Sequence, residues 1–345
     1  MSNLRILSVD VGFSAIKCSF KDSNGLIKFE KFISATAKLP EKPLESDDDM
    51  VFPLGGDYYV LGPAALKVPR SYLLKLETFE DLKAVYAPWL SYLIKKYGGD
   101  EGINAFDKLA IGLSMAFNTN DNVDELLDYL YETLNINKED YIYCFCQGLS
   151  CKYTYNEYGL NVREASRRND VKLRNALILD GGFETLDFCS IINGTSSAGA
   201  AVGVKDSGVI RIVYDLVDYL YKNYSISISI KEGQVILDTG VLKRRGKTID
   251  LSRQVEEFSK KYIIEVFQYL DKNYGEVLDA LDDGIIVLGG LSYFMKKYLH
   301  DPEVEKEVDK IFSVSEIVYP EEDSEYYNCI SYLRLAEKVA SDNMK

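Results

Sequence analysis

Three short segments of the chain place acids, glycines and hydroxyls at spacings suited to polyphosphate chemistry. Asp10-Val11-Gly12-Phe13-Ser14 follows the apolar run 4–9, with Lys17 just beyond. Asp180-Gly181-Gly182-Phe183-Glu184-Thr185 follows the apolar run 176–179, with Asp187 just beyond. The buried-type run 285–288 leads into Gly289-Gly290-Leu291-Ser292. A hairpin turn carrying Gly and Ser or Thr can aim backbone N–H groups at phosphate oxygens. The acid beside it can hold a hydrated Mg²⁺, an ion that keeps most of its waters and takes one or two carboxylates. The first two segments are the same device written twice, half a chain apart. Two such hairpins facing each other would clamp a nucleotide triphosphate tail between related domains. Paired glycines between a strand and a helix let backbone approach a flat ligand closely. Each segment taken alone also fits a plain structural turn, Lys17 also fits a strand-surface lysine, and Asp187 also fits a residue that satisfies backbone donors.

The elements that must position these residues follow from periodicity. Strands are expected at 4–10, 15–20 and 26–33, then a mobile loop at 37–49, rich in Pro, Lys, Glu and Asp. Segments 50–54 and 58–61 flank Gly55-Gly56-Asp57 as a hairpin. Helices are expected at 62–66, at 79–97 through Leu82, Val85, Tyr86, Leu90 and Leu93, and at 122–133; strands at 108–114 and 141–147; and a further helix from Gly148. The second half restarts the scheme with strands at 176–180, 185–192 and 195–204 and helices at 209–223 and 230–239. A long helix at 250–274 follows the Arg244-Arg245-Gly246-Lys247 turn, then a strand at 283–288, a helix at 293–299, a strand at 317–318 and a closing helix at 324–338. Strand clusters followed by alternating helices, twice over, indicate a duplicated α/β architecture.

Composition narrows the chemistry. At 345 residues the chain exceeds one ordinary core and suggests two domains. A net charge of −14 argues against direct nucleic-acid or acidic-membrane binding by the chain as a whole. Arg163–Arg174 and Lys243–Lys247 are local basic runs that also fit solvated surface. No secretory leader pattern and no apolar run of transmembrane length is present, so a cytoplasmic, membrane-free protein is expected. Cys144, Cys146 and Cys151 cluster without a second pair at zinc spacing and read as buried thiols. The single histidine, His300, leaves Ser-His-Asp, Cys-His and multi-histidine sites without their parts. Catalysis must then rest on carboxylates, amides, backbone dipoles and a bound cation.

In this order, the three segments resemble the phosphate 1, phosphate 2 and adenosine motifs of the actin-like ATPase superfamily. Further pieces resemble its bacterial and archaeal branch of the ParM, plasmid-segregation type. Tyr59-Val60-Leu61-Gly62-Pro63-Ala64-Ala65 is similar to its hydrophobic-Gly-x-x-Ala segment, and Ile111-Gly112-Leu113-Ser114 to a Gly-Leu-Pro strand end with Ser for Pro. Gln147-Gly148 stands where the first connecting helix begins, and Asn328 where the second carries an Asn. The resemblance implies an α/β actin-like fold: two duplicated RNase H-like domains with an interdomain nucleotide cleft. Domain I would span 1–148, with a variable small subdomain inserted at roughly 32–100. Domain II would span 149–324, and 325–345 would return to domain I as a helix.

The resemblance also implies roles. Asp10 and Asp180 would hold Mg²⁺ through water, and Gln147 and Asp180 would orient and polarise the attacking water. Gly12, Phe13, Ser14 and Lys17 would contact phosphates on one side, and Gly181, Gly182, Phe183 and Thr185 on the other. Gly289, Gly290 and Ser292 would line the adenine, with Lys231, Glu232 and Gln234 toward ribose and purine edge. Phe183-Glu184 stands between the glycines and Thr185, and Phe13 replaces a smaller residue. The implied function is an ATPase, with GTP as an alternative substrate, that forms head-to-tail filaments. Such filaments would move or position plasmid DNA through a DNA-binding adaptor. A small-molecule kinase of the same superfamily and a non-hydrolysing nucleotide-binding scaffold are the alternatives.

Overall fold

The computed structural model describes residues 4–43, 50–76, 78–136, 141–160, 172–196, 201–244, 246–320 and 324–343. The chain divides into two compact units, Met1–Asn169 with Tyr326–Lys345, and Asp170–Glu325.

The first unit opens with an antiparallel meander of β1 (Ile6–Val11), β2 (Ala15–Lys21) and β3 (Ile27–Ile33). A separate small sheet follows, β4 (Thr36–Leu39), β5 (Val51–Leu54) and β6 (Asp57–Leu61), in the order β4-β6-β5. Then come α1 (Gly62–Ala65), α2 (Phe79–Gly98), β7 (Lys108–Leu113), α3 (Asn120–Thr133), β8 (Ile142–Cys146) and α4 (Leu149–Tyr158). β7 and β8 add in parallel to β1, giving the order β3-β2-β1-β7-β8.

The second unit repeats this plan. β9 (Ala176–Gly181), β10 (Leu186–Ile191) and β11 (Ala201–Val204) form the meander. Then follow α5 (Ile210–Tyr224), α6 (Ile230–Thr239), a ribbon of β12 (Val241–Arg244) and β13 (Lys247–Asp250), and α7 (Ser252–Leu278). β14 (Ile285–Leu288), α8 (Gly289–Tyr298), α9 (Pro302–Val308) and β15 (Ile317–Val318) complete the unit. The order is β11-β10-β9-β14-β15, with β14 and β15 parallel additions. The closing helix α10 (Tyr327–Asp342) packs on β1, β7 and α4 of the first unit.

Every residue of β1 is buried because the strand is covered on both faces. The alternation of side chains sends Leu7, Val9 and Val11 into the core with Leu82, Val85 and Trp89 of α2. It sends Ile6 toward Tyr332 and Leu333 of α10, and the Ser8 hydroxyl onto the carbonyl of Cys329. Asp10, two residues on, therefore belongs to the face covered by α10. A carboxylate there is at a sheet end where only polar partners can satisfy it.

Several expectations need correction. Thr36–Leu39, which overlaps the start of the expected loop at 37–49, is a strand, because Ala37 and Lys38 find partners in Val60 and Tyr59. Lys243, Arg244 and Lys247 stand on a two-stranded ribbon rather than in a bare turn, since Leu242 and Ile249 pair in register and pack inward. α8 starts at Gly289, four residues before the expected 293. α9 was not expected, although Asp301 caps it and Pro302 occupies its first turn. α4, expected to open domain II, packs against α10 within the first unit. Arg163–Arg174 lies largely outside the described residues. Among the described residues, no helix is long and apolar enough to cross a membrane.

Candidate functional site

The β1–β2 turn is closed by the Gly12 amide donating to the Ala15 carbonyl at 3.0 Å. Its own carbonyls are taken from behind by one residue. The Ser34 hydroxyl donates to the Phe13 carbonyl at 2.5 Å, and the Ser34 amide to the Ser14 carbonyl at 3.3 Å. In a trans peptide the C=O and the following N–H point in opposite directions, and the described chain has no cis bond. The Ser14 and Ala15 amides therefore face away from Ser34, toward the open side of the turn.

The second turn is built the same way by different residues. The Gly182 amide donates to the Thr185 carbonyl at 2.9 Å. The carbonyls of Gly182 and Phe183 accept from the amides of Val209 and Ile210, and that of Glu184 from Ser207 and Gly208. The amides of Phe183, Glu184 and Thr185 are thereby turned away from the start of α5. Gly208 makes this possible: a Cβ there would lie 2.6 Å from the Gly182 and Phe183 carbonyl oxygens. Each turn, taken by itself, thus presents a row of outward amides fixed by a backing segment, a donor set of the kind an anion can use.

Around the first turn, three expected residues converge. Asp10, 1 % exposed, accepts from the Gln147 side-chain amide on Oδ1 at 2.6 Å and faces the Lys17 ammonium on Oδ2 at 3.3 Å. Lys17 is opposite Asp10 by strand register, so the pair is set by the hairpin itself. Gln147 sits where β8 ends, its backbone N–H donating to the Leu113 carbonyl at 2.8 Å. The chain then turns through Gly148 at φ +69°, a conformation that suits glycine, into α4. Asn328 of α10 accepts the Gly148 amide at 3.4 Å and the Cys151 thiol at 3.0 Å on the same oxygen.

Around the second turn, Asp180 and Asp187 are register partners, 4 % and 2 % exposed. The Thr185 hydroxyl donates to Asp187 Oδ2 at 3.1 Å, while Asp187 Oδ1 is buried without a hydrogen-bond partner among the described residues. Burial, then the neighbouring Asp180 charge, push the Asp187 carboxyl up to about 8, against the smaller opposing effect of Thr185. The adenosine-type segment packs against this hairpin. Leu288 is the parallel partner of Asp180, and a Cβ on Gly289 would lie 2.4 Å from Asp180 Oδ1. Gly181 is equally constrained, since its Cβ would lie 2.3 Å from that of Leu291. The first turn of α8, with Gly289 and Gly290 at its head, therefore sits beside Asp180, and Gly289 is tied to Gly181 of β9 by a parallel bridge.

The remaining expected residues are placed less directly. Ser292 is 2 % exposed, its hydroxyl donating to the Gly289 carbonyl at 2.7 Å and bonded to Ser324. Lys231, Glu232 and Gln234 stand on α6, which packs on α5 and β12. The Glu232 carboxylate caps that helix, accepting from the Ser229 amide at 2.8 Å. Lys231 has its pKa lowered by desolvation. Within the first unit the structure thus gathers Asp10, Gly12, Phe13, Ser14, Lys17 and Gln147. Within the second it gathers Asp180, Gly181, Gly182, Phe183, Thr185, Gly289, Gly290 and Ser292. Ser34 and Gly208 were missed by sequence reasoning. A lone serine at a strand end carries no signal, whereas Asp206-Ser207-Gly208 ahead of an apolar helix is a readable turn.

No family model and no curated protein matches the sequence. Solved structures do match in shape. The archaeal actin homologue Ta0583 aligns at 14 % identity and a TM-score of 0.67, covering 97 % of this chain and all of that one. A ParM from a 15-stranded filament of Clostridium botulinum aligns at 15 % identity and a TM-score of 0.66, covering 97 % and 99 %. Bacillus thuringiensis ParM with ATP aligns at 16 % identity and a TM-score of 0.59, covering 98 % and all. At such identities the likeness speaks for the fold alone.

Proposed function

We propose, on the premise that the chain has the actin-like fold of ParM type, that it is a nucleotide-dependent ATPase that forms filaments. The observation that carries this reading is the buried Asp10 carboxylate held between Gln147 and Lys17 beside an anion-ready turn. Its counterpart is the backed second turn next to Asp180. That both turns serve one nucleotide, ATP or GTP, is part of the proposal.

The donor set fits a hydrated Mg²⁺. Asp10 and Asp180 offer only hard oxygens, and Asp187 adds a buried carboxyl oxygen without a protein partner among the described residues. Asp10 and Asp180 would hold the ion through its waters; bound, it would screen the charge of the phosphates. The outward amides of Ser14, Ala15, Phe183, Glu184 and Thr185 would donate to phosphate oxygens without reorganising. Lys17 would add a positive charge while paired to Asp10. Gln147 donates its amide N–H to Asp10, which leaves its carbonyl oxygen to accept from a water and aim it. An amide is no base, so the chemistry is positioning and electrostatics, as phosphoryl transfer requires.

Self-association head to tail would be heterologous and open-ended, which yields filaments. Positioning of DNA, as in plasmid partition, would run through an adaptor, in keeping with the net charge of −14. Phosphate release with Mg²⁺ and ATP tests the catalytic half. Turnover that vanishes in a folded Asp180→Ala protein supports it; turnover that persists overturns it. Turnover that appears only with an added sugar or acid would assign the chain to the kinases. Nucleotide binding without turnover would make it a scaffold.

A further inference from the structure

The β12–β13 ribbon is a strongly basic surface on an acidic chain. Segment 241–250 carries Lys243, Arg244, Arg245 and Lys247 against a single acid, Asp250, while the whole chain stands at −14. Its base is fixed: Leu242 and Ile249 pair in register and pack with Leu216, Leu220, Ile236 and Val255. Lys243 and Lys247 are exposed and form no ion pair among the described residues, and Arg244 donates to the Ser227 carbonyl at 2.7 Å. A ribbon anchored at its base and holding unpaired cations is built to meet an anionic surface.

α3 presents one. Its sequence NDNVDELLDYLYET has five acids and no base. Leu126 and Leu130 face the core, and Glu125 is bound by Lys83. Asp121, Asp124, Asp128 and Glu132 recur at steps of three and four residues, so they form one stripe. All four are exposed and form no ion pair among the described residues. Like charges at this spacing destabilise a helix, and Glu132 near the C-terminus opposes the helix dipole. The stripe costs helix stability that a cationic partner would return.

We propose that the ribbon of one copy docks on the α3 stripe of the next. The two surfaces are different patches, so a single ribbon-to-stripe contact is heterologous and, where its rotation closes neither a pair nor a ring, propagates from copy to copy. That the product is a nucleotide-controlled filament rests on the function proposed above; the pairing of these surfaces does not. Exposed ion pairs add little energy each, so the contact acts mainly on encounter rate and register and weakens with salt.

The test uses the full chain. Lys243→Glu/Lys247→Glu in one variant and Asp124→Lys/Asp128→Lys in another should each raise the concentration needed for assembly about tenfold, roughly 1.4 kcal/mol. Mixed together they should co-assemble, because each ribbon then meets an opposite stripe. Carbodiimide cross-linking of ¹⁵N-labelled with unlabelled wild-type chains should join Lys243 or Lys247 to an α3 acid across isotopes. Assembly unchanged in both variants, or a mixture no better than its parts, overturns the pairing while leaving the filament reading intact. Hydrolysis with no assembly of the wild type overturns both the pairing and the filament, but not the ATPase. Loss of duplex-DNA binding on ribbon reversal, with self-association untouched, assigns the ribbon to nucleic acid instead and overturns the pairing.

Discussion

The side-chain amide of Gln147 donates to Oδ1 of Asp10 at 2.6 Å, joining the end of β8 to the end of β1. The relationship makes Gln147 a member of the acid's own environment and not merely a residue near it. Gln147→Ala should lower kcat by about 10²–10³, the usual loss on removing a positioned amide in a reaction centre. Nucleotide affinity should change much less, because the turn amides remain. Single-turnover phosphate release against nucleotide binding measures the split. Equal losses in both would make Gln147 a structural support for Asp10 only.

Ser34 should act on binding. Ser34→Ala removes the hydroxyl that holds the Phe13 carbonyl, a hydrogen bond worth about 1 kcal/mol. The turn then loses the orientation of its outward amides, and nucleotide affinity should fall roughly fivefold, about 1 kcal/mol. The melting temperature should shift by only a few degrees. Fluorescent-nucleotide titration reads the affinity, and Ser34→Thr, which keeps the hydroxyl, should restore it.

Gly208 offers a stability test with a built-in control. Gly208→Ala would press a Cβ against the Gly182 and Phe183 carbonyl oxygens at 2.6 Å, and both are backbone. Overpacking of this kind costs about 1–3 kcal/mol and would separate α5 from the second turn. A Cβ on Gly275, in α7, would meet nothing within 4 Å, so Gly275→Ala should be neutral or stabilising by up to about 1 kcal/mol. Thermal melts should fall clearly for Gly208→Ala and hold or rise for Gly275→Ala.

Much of this was legible because it is local. The Asp-Gly turns follow apolar runs directly, and Gly55-Gly56 adopts the positive φ angles that a two-residue hairpin demands. What was missed depends on distant partners or on residues with misleading preferences. Thr36–Leu39 becomes a strand through Tyr58–Leu61, some twenty residues on. α8 starts on two glycines, poor helix formers whose value here is the close approach to Asp180. In the ribbon, a run of cations hides the inward pair Leu242 and Ile249. The first turn was visible, whereas its backing by Ser34 is a tertiary contact with no spacing to read.

Asp187 predicts a pH dependence. Its carboxyl is raised from 3.8 to about 8 in the folded chain by burial and by Asp180. The folded state therefore binds the extra proton between those values, and stability from this group is complete below the unfolded pKa and lost as pH rises through about 8. Metal-free protein should become less resistant to urea from about pH 5 to about pH 8. Asp187→Asn, which cannot ionise, should flatten that decline; the same slope in the variant would place the dependence elsewhere.

Right-angle light scattering of the purified chain with Mg²⁺ and ATP, with Mg²⁺ and ADP, or with neither, decides whether nucleotide drives assembly when phosphate release is followed in the same sample. A filament-forming ATPase should give scattering that rises with ATP above a critical protein concentration and falls as phosphate appears. A flat trace at high protein concentration, with or without phosphate release, would contradict a filament-forming ATPase.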